Sequence, residues 1–242
     1  MSPAFTRRTR WVAGSAVAVA LLFAGAATVA SARGGTETSG PPRTPSAGSA
    51  DAGFARDMAV HHQQAVEMAF IVRDGTEDED VRRLAYDIAN TQAGQRGMLL
   101  GWLDLWELPK TAPDGQGPMA WMEGGAHSDH GGHDMAGMAG MAGTEGMAGT
   151  EGMDHDGALM PGMATRTELG RLREATGAKA EILFLQLMTD HHKGGVAMAR
   201  GCTRQCTVPV EKRLARGMVE AQQSELDLMA DMLAARGAAP RP

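Results

Sequence analysis

FARDMAVHHQQAVEMA, residues Phe54 to Ala69, occurs a second time in the chain as FLQLMTDHHKGGVAMA, residues Phe184 to Ala199. This repeat is the strongest indication of the fold. Seven positions agree without a gap at a constant offset of 130 residues, among them two adjacent histidines and two methionines in each copy. Such agreement is typical of an internal duplication. Each copy therefore indicates one half of a repeated unit.

Helical periodicity places the chemically distinctive residues of each copy on one face. Positions spaced by three and four residues share a helix face, and in the first copy these are Phe54, Met58, His61, Ala65 and Met68, with His62 beside them. Thioether sulfur suits Cu(I), and imidazole suits copper in either oxidation state as well as zinc. Methionine alone is also a common filler of helical cores. Two adjacent histidines in both copies favour a metal site over simple packing.

The sequence around each motif predicts a helical hairpin. A second apolar stripe follows each copy, and Leu84/Leu214, Gln92/Gln222 and Leu103/Leu233 keep the same offset. The hairpins are predicted over residues 51–108 and 165–236, with Asp51 capping the first helix. Because each hairpin has one apolar face to cover, the sequence predicts an all-α four-helix bundle. Association about a pseudo-two-fold axis would bring the two histidine pairs together.

The segment between the hairpins, residues 109–164, has a different composition and is predicted to be a flexible insertion. Residues 119–163 contain 9 of the 18 methionines and 4 of the 8 histidines among many glycines. This glycine density disfavours a stable helix, so the segment is predicted to be disordered. Methionine and histidine together favour weak binding of a soft metal. The candidate weaker ligands are His127, His130, His133, Met135, Met138, Met141 and His155.

The N-terminus is predicted to direct export. Residues 1–32 combine three arginines with an apolar run over 11–29 and an Ala-Ser-Ala cleavage motif, as in a signal peptide. If uncleaved, the run would be long enough to anchor the protein in a membrane. Residues 33–50 are predicted to be a disordered linker rich in glycine, serine, threonine and proline. The expected location is extracytoplasmic, either secreted or anchored on the outer face.

Charge and cysteine content narrow the function further. The formal net charge of -6 gives no indication of a nucleic-acid partner. The histidines and methionines of the motifs make metal ions the expected partners. Cys202 and Cys206 are the only cysteines. An exported protein can join them as a local disulfide, and this is the favoured interpretation. Two thiolates would alternatively suit Cu(I), and that reading stays open.

The doubled M-x2-HH-x5-MA pattern, preceded by Asp51 and Phe54 and again by Glu181 and Phe184, resembles the domain-of-unknown-function family 305. That family is ferritin-like and helical, and it includes periplasmic copper-binding proteins of the copper-resistance M type. The resemblance covers about residues 51–108 and 180–236. It implies copper as the bound metal, with ligands at Met58, His61, His62, Met68, Met188, His191, His192 and Met198.

These observations predict a non-enzymatic protein that captures Cu(I) or Cu(II), and Ag(I) as a further candidate, for sequestration, resistance or delivery. A ferritin-like metal-dependent oxidase is the main alternative, but its Glu-x-x-His motifs do not occur in the sequence. A metal-free structural bundle on the cell surface is the third interpretation, in which the methionines only pack.

Overall fold

The computed structural model describes residues 44–123 and 156–242. In these ranges every regular element is an α-helix, which confirms the predicted all-α bundle. The helices are α1 (Ala50–Gly75), α2 (Glu79–Leu105), α3 (Ala120–Glu123), α4 (Arg166–Glu174), α5 (Gly177–Gln205) and α6 (Pro209–Ala235). None of the helices in these two ranges is both long and apolar enough to cross a membrane. The predicted signal segment or anchor, residues 1–32, and most of the linker lie outside the described residues.

The bundle consists of two hairpins that meet through the two motif helices. α1 packs on α2, α5 packs on α6, and α1 and α5 pack on each other. The short helix α4 lies against both α1 and α5, while α3 lies against α1. The motif helices are therefore the central pair, and each has one neighbour from its own hairpin and one from the other.

The core consists of two apolar clusters, and the histidines lie between them along both central helices. The first half of α1 and the second half of α5 share one cluster, which includes Phe54, Met58, Met198 and Cys202. The second half of α1 and the first half of α5 share the other, which includes Met68, Phe184, Met188 and Met229. This pairing shows that α1 and α5 run antiparallel and cross near the histidine pairs.

The acidic residue before each motif holds the turn of the opposite hairpin. The Asp51 carboxylate accepts hydrogen bonds from the backbone N–H groups of Thr207 (2.8 Å) and Val208 (2.7 Å), just before α6. The prediction that Asp51 caps its own helix was wrong, since the N-cap of α1 is Ser49. Asp51 is only 1% exposed, so its carboxylate needs hydrogen-bond donors from within the protein. The backbone just before α6 supplies them.

Glu181 has the equivalent position in the second copy and makes the reciprocal contact. Its carboxylate accepts from the Thr76 hydroxyl (2.6 Å), in the turn between α1 and α2, and from Arg236 Nε (2.7 Å). Each motif helix thus fixes the turn of the other hairpin. The acid–Phe spacing that accompanies the motif is explained by this structural role.

The predicted flexible insertion is folded at both of its ends. The Asp57 carboxylate accepts from the backbone N–H of Met119 (2.8 Å) and from Trp121 Nε1 (2.9 Å). At the other end, the Gln64 side chain pairs with both backbone groups of Ala164 (2.6 and 2.9 Å). Side chains of α1 thus satisfy backbone groups at both described ends of the insertion. Residues 124–155 lie outside the described residues.

Candidate metal centre

Four buried histidines meet where α1 crosses α5. The ring centroids of His61 and His191 are 3.7 Å apart at an interplanar angle of 33°, so the two imidazoles lie nearly face to face. The His192 ring follows at 6.3 Å from that of His191. All four side chains, including His62, have an exposure of 0%. The structure thus brings together the two histidine pairs that the duplicated sequence predicts to face each other.

Two hydrogen bonds fix the tautomers of the histidines on α5. His191 Nε2–H donates to the backbone carbonyl of His61 (2.9 Å), and His192 Nε2–H donates to the Glu225 carboxylate (2.7 Å). Because these acceptors carry no proton, the lone pair of each ring lies on Nδ1. This arrangement, with one nitrogen oriented by an acceptor and the other bare, is the usual one for metal-binding histidines.

The other six ring nitrogens have no hydrogen bond of normal geometry within the described residues. The Pro161 carbonyl lies near His61 and the Gln95 side chain lies near His62, and both contacts fall outside normal hydrogen-bond geometry. Buried polar atoms are nearly always paired in folded proteins, since an unpaired one costs free energy. Such a concentration of bare nitrogens therefore points to a ligand.

Burial keeps the imidazoles of His61, His62 and His191 neutral. It lowers the pKa of His61 and of His62 to about 3, although the Pro161 carbonyl and the Gln95 side chain act in the opposite direction. Burial also lowers the pKa of His191 well below its usual value, and the neighbouring histidines add to that effect. Neutral imidazole is the form that binds a metal ion, so no proton has to leave at neutral pH.

The outer helices supply matching polar partners to the two halves. Gln95 on α2 and Glu225 on α6 keep the offset of 130 and face His62 and His192 respectively. Gln92 and Gln222, one turn earlier, are almost fully buried, and both have amide atoms without a partner. Gln95 and Glu225 were not predicted as partners of the site, although they share the offset of 130 residues with the histidines and this signal could have revealed them.

The predicted methionine ligands lie in the apolar clusters on either side of the histidines. Met58 and Met198 are in the first cluster, and Met68 and Met188 are in the second, so each cluster receives one thioether from each copy. All four are fully buried. Met160 also joins the cluster of Met58, a neighbour that the sequence analysis did not predict.

A short segment before α4 covers the histidines. It crosses α5 so closely that a Cβ atom on Gly194 would lie 2.0 Å from the Pro161 carbonyl oxygen. Only glycine fits at this position, which explains why the second copy has Gly194 where the first has Gln64. The same segment is fixed to α1 by the bonds between Gln64 and Ala164. The site is therefore enclosed by the C-terminal end of the insertion.

The donor set fits a soft cation of low coordination number. Among the described residues, no trio of histidine, cysteine or carboxylate ligand atoms within 4.8 Å includes a histidine. Without rearrangement, the quartet could thus offer an ion at most two imidazoles at once. Neutral imidazoles with buried thioethers nearby match the preference of Cu(I) for nitrogen and sulfur donors.

The remaining predicted site residues fall into two groups. Cys202 and Cys206 form a disulfide at the end of α5, with Cα atoms 4.7 Å apart, and neither contributes to the histidine quartet. Beside it, burial and the Asp51 carboxylate raise the pKa of Glu211 to about 10. The predicted weaker ligands His127, His130, His133, Met135, Met138, Met141 and His155 lie outside the described residues.

Comparisons with known proteins identify relatives of this arrangement. A family model described as a domain of unknown function (DUF305) matches residues 51–233. A DUF305 protein of Streptomyces coelicolor that is inferred to be secreted is 55% identical, with a TM-score of 0.65 over 81% of this chain and 99% of that one. A DUF305 fragment from Deinococcus radiodurans is 27% identical, with a TM-score of 0.55 over 81% and 99% of the two chains.

CopM in its Cu(I)-bound form has the same fold at lower similarity. It is 18% identical, with a TM-score of 0.51 over 76% of this chain and 96% of that one. No curated protein sequence matches this chain.

Proposed function

The chain belongs to the DUF305 family, and from that premise we propose that it is an exported copper-binding protein that captures Cu(I) at the four buried histidines. Cu(II) and Ag(I) are further candidates for the same donors. The metal ion is cargo, held for sequestration, resistance or delivery, and the proposal involves no catalytic step.

One observation carries the proposal: within the described residues, six ring nitrogens without a hydrogen bond of normal geometry are buried between α1 and α5, in one site to which both copies of the motif contribute. Two acceptors, the His61 carbonyl and Glu225, orient rings on α5 so that their lone pairs remain available. A purely structural core would gain stability by replacing such groups with apolar side chains. Binding of an ion would instead give the available ring lone pairs a partner.

The thioethers favour copper over harder metals. Met58 with Met198, and Met68 with Met188, lie in the two apolar clusters that flank the quartet along α1 and α5, and thioether sulfur is a soft donor that suits Cu(I). CopM has the same fold and was solved with Cu(I) bound. At its identity of 18% the likeness extends to the fold alone, so the choice of metal depends on the donors of this chain.

Binding is a better proposal than a ferritin-like oxidase because the buried carboxylates are engaged elsewhere. Di-iron bundles need glutamates from several helices around the metals. Here Asp51 and Glu181 hold the hairpin turns, and Glu211 lies beside the disulfide. Among the described residues, Glu225 is the only carboxylate that is hydrogen-bonded to a histidine of the quartet. Its oxygen accepts the bond from His192 Nε2–H.

The location and the insertion complete the proposal. The signal-like N-terminus and the similarity to a protein inferred to be secreted support a site outside the cytoplasm. The methionines and histidines of the insertion would bind additional copper weakly, because ordering a flexible chain costs about 1–2 kcal/mol for each residue fixed.

Competition with a chromophoric Cu(I) chelator tests the proposal. His61→Ala with His191→Ala should weaken the tightest site by at least about 100-fold, the loss of two ligands at roughly 1.4 kcal/mol each or more. Met58→Leu with Met188→Leu should weaken Cu(I) binding and spare Zn(II). Deleting residues 124–155, which leaves the packed ends of the insertion in place, should lower capacity and spare the tightest site. Tight binding that survives the histidine changes and is lost with the deletion would refute the proposal.

A further inference from the structure

A second cluster of ligand atoms lies at the end of α5, formed by residues that take no part in the histidine quartet. The sulfur atoms of Cys202 and Cys206 and a carboxyl oxygen of Glu211 lie within 4.8 Å of one another, and all three residues are buried. Within 44–123 and 156–242 this is the only trio of histidine, cysteine or carboxylate ligands so close together. Nothing in the bundle architecture requires the three groups to converge.

Glu211 is the feature that packing does not explain. Its side chain has an exposure of 0%, and among the described residues the Asp51 carboxylate is the polar group beside it, without a hydrogen bond of normal geometry to either carboxyl oxygen. Its equivalent in the first hairpin is Val81, so an apolar residue fits the same place in the fold. An acceptor group buried beside two sulfur atoms costs stability in the oxidised protein. A state of the protein in which its oxygens bind a ligand would remove that cost.

We propose that reduction of the Cys202–Cys206 disulfide opens a second Cu(I) site, made of the two sulfur atoms with a carboxyl oxygen of Glu211 as the third donor. Thiolates are soft ligands that select Cu(I). In the oxidised protein the sulfur atoms are bonded to each other, and the site is closed. Copper capacity at this end of the bundle would thus depend on the thiol state.

The chemistry needs an external dithiol as reductant. Its two thiols exchange with the disulfide through a mixed disulfide and become a disulfide themselves, so two electrons and two protons pass to Cys202 and Cys206. Cu(I) then displaces both thiol protons to solvent and binds the thiolates.

The fold would keep the donors together after reduction. The turn that follows Cys206 is fixed by hydrogen bonds from Thr207 and Val208 to Asp51, and these bonds do not involve the disulfide. Cys202 lies on α5 itself, so its position is set by the helix. Both sulfur atoms therefore start near their final positions, and little ordering is needed on binding.

Cu(I) titration of the full chain in its two thiol states tests the inference. The protein is reduced with excess dithiothreitol without oxygen, desalted, assayed for two free thiols and titrated with Cu(I) against bicinchoninate. The reduced chain should bind one more Cu(I) than the oxidised chain, with a thiolate-to-Cu(I) charge-transfer band. Cys202→Ser with Cys206→Ser should bind no extra ion under either condition. Helical circular dichroism of this variant verifies that it folds.

Three further variants make the result specific. Glu211→Leu should bind the extra ion about tenfold or more weakly, while Glu220→Leu, on the exposed face of α6, should not differ from the wild type. His61→Ala with His191→Ala should keep the extra ion even if it loses the histidine site, which separates this inference from the proposed function. It is overturned if reduction adds no copper, if the serine variant gains the ion too, or if Glu211→Leu binds it as tightly as the wild type.

Discussion

Replacing His61 with leucine should make the copper-free protein more stable. It should also reduce the further stabilisation that the protein gains when it binds Cu(I). His61 is fully buried, and neither of its ring nitrogens has a hydrogen bond of normal geometry. Leucine has a similar size and no polar atom to leave unpaired. A histidine kept for metal binding and one kept for packing therefore predict opposite signs for the change in unfolding free energy.

The size of the effect follows from the two bare nitrogens. An unpartnered buried polar group costs about 1–3 kcal/mol, and the lost approach of the Pro161 carbonyl offsets part of the gain. We expect a net stabilisation of about 1–3 kcal/mol. In a domain of this size each kcal/mol raises the melting temperature by roughly 2–4 °C.

Urea unfolding with and without Cu(I) measures both parts. A ligand at 100 times its Kd stabilises the wild type by about 2.7 kcal/mol, and His61→Leu should lose most of that gain. Gln63→Leu is the control, since Gln63 is the exposed neighbour on the same helix and receives the same side chain. If His61→Leu destabilises the copper-free protein while Gln63→Leu does not, His61 is a structural residue and the reasoning fails.

Three other predictions concern pH and the turn contacts. Burial lowers the pKa of His61, His62 and His191. Below about pH 6.5 the unfolded chain therefore takes up protons that the folded chain does not. The unfolding free energy of the copper-free protein should fall as the pH is lowered towards 3. Burial raises the pKa of Glu211 to about 10, so the folded chain keeps a proton that the unfolded chain releases above about 4.5; stability should decline as the pH rises from 7 to 10, and Glu211→Gln should remove that decline. Asp51→Ala leaves two backbone N–H groups without their acceptor and should cost about 2–4 kcal/mol in urea unfolding; an unchanged midpoint would show that Asp51 does not hold the turn.

The sequence predicts the bundle and the meeting of the histidines because both depend on periodicity. The offset between the copies implies two equal hairpins, and helical spacing puts His61 and His191 on the inward faces. Duplicated halves that cover each other's apolar faces must then bring these positions together. Local pattern and symmetry are enough for this part of the site.

Other features depend on contacts between distant residues, which no local pattern contains. Asp51 precedes a helix and is typical of an N-cap, yet its partners are 156 and 157 residues away. Gln64 similarly holds Ala164 across the bundle, so a glycine-rich segment that looks like linker is folded at its end. The role of Glu225 needs the pairing of α5 with α6 before it can be recognised. These choices are made by tertiary packing rather than by propensity.

The claim that the buried histidines of both motifs bind copper can be tested in crystals of the Cu(I)-loaded protein. Anomalous diffraction at the copper edge locates the ion. We expect the strongest peak between α1 and α5, within bonding distance of a ring nitrogen from each motif, at His61 or His62 and at His191 or His192. A buried peak there would also show which methionines complete the coordination. Copper found only on the surface or along the insertion, with the four histidines unchanged, would contradict the account.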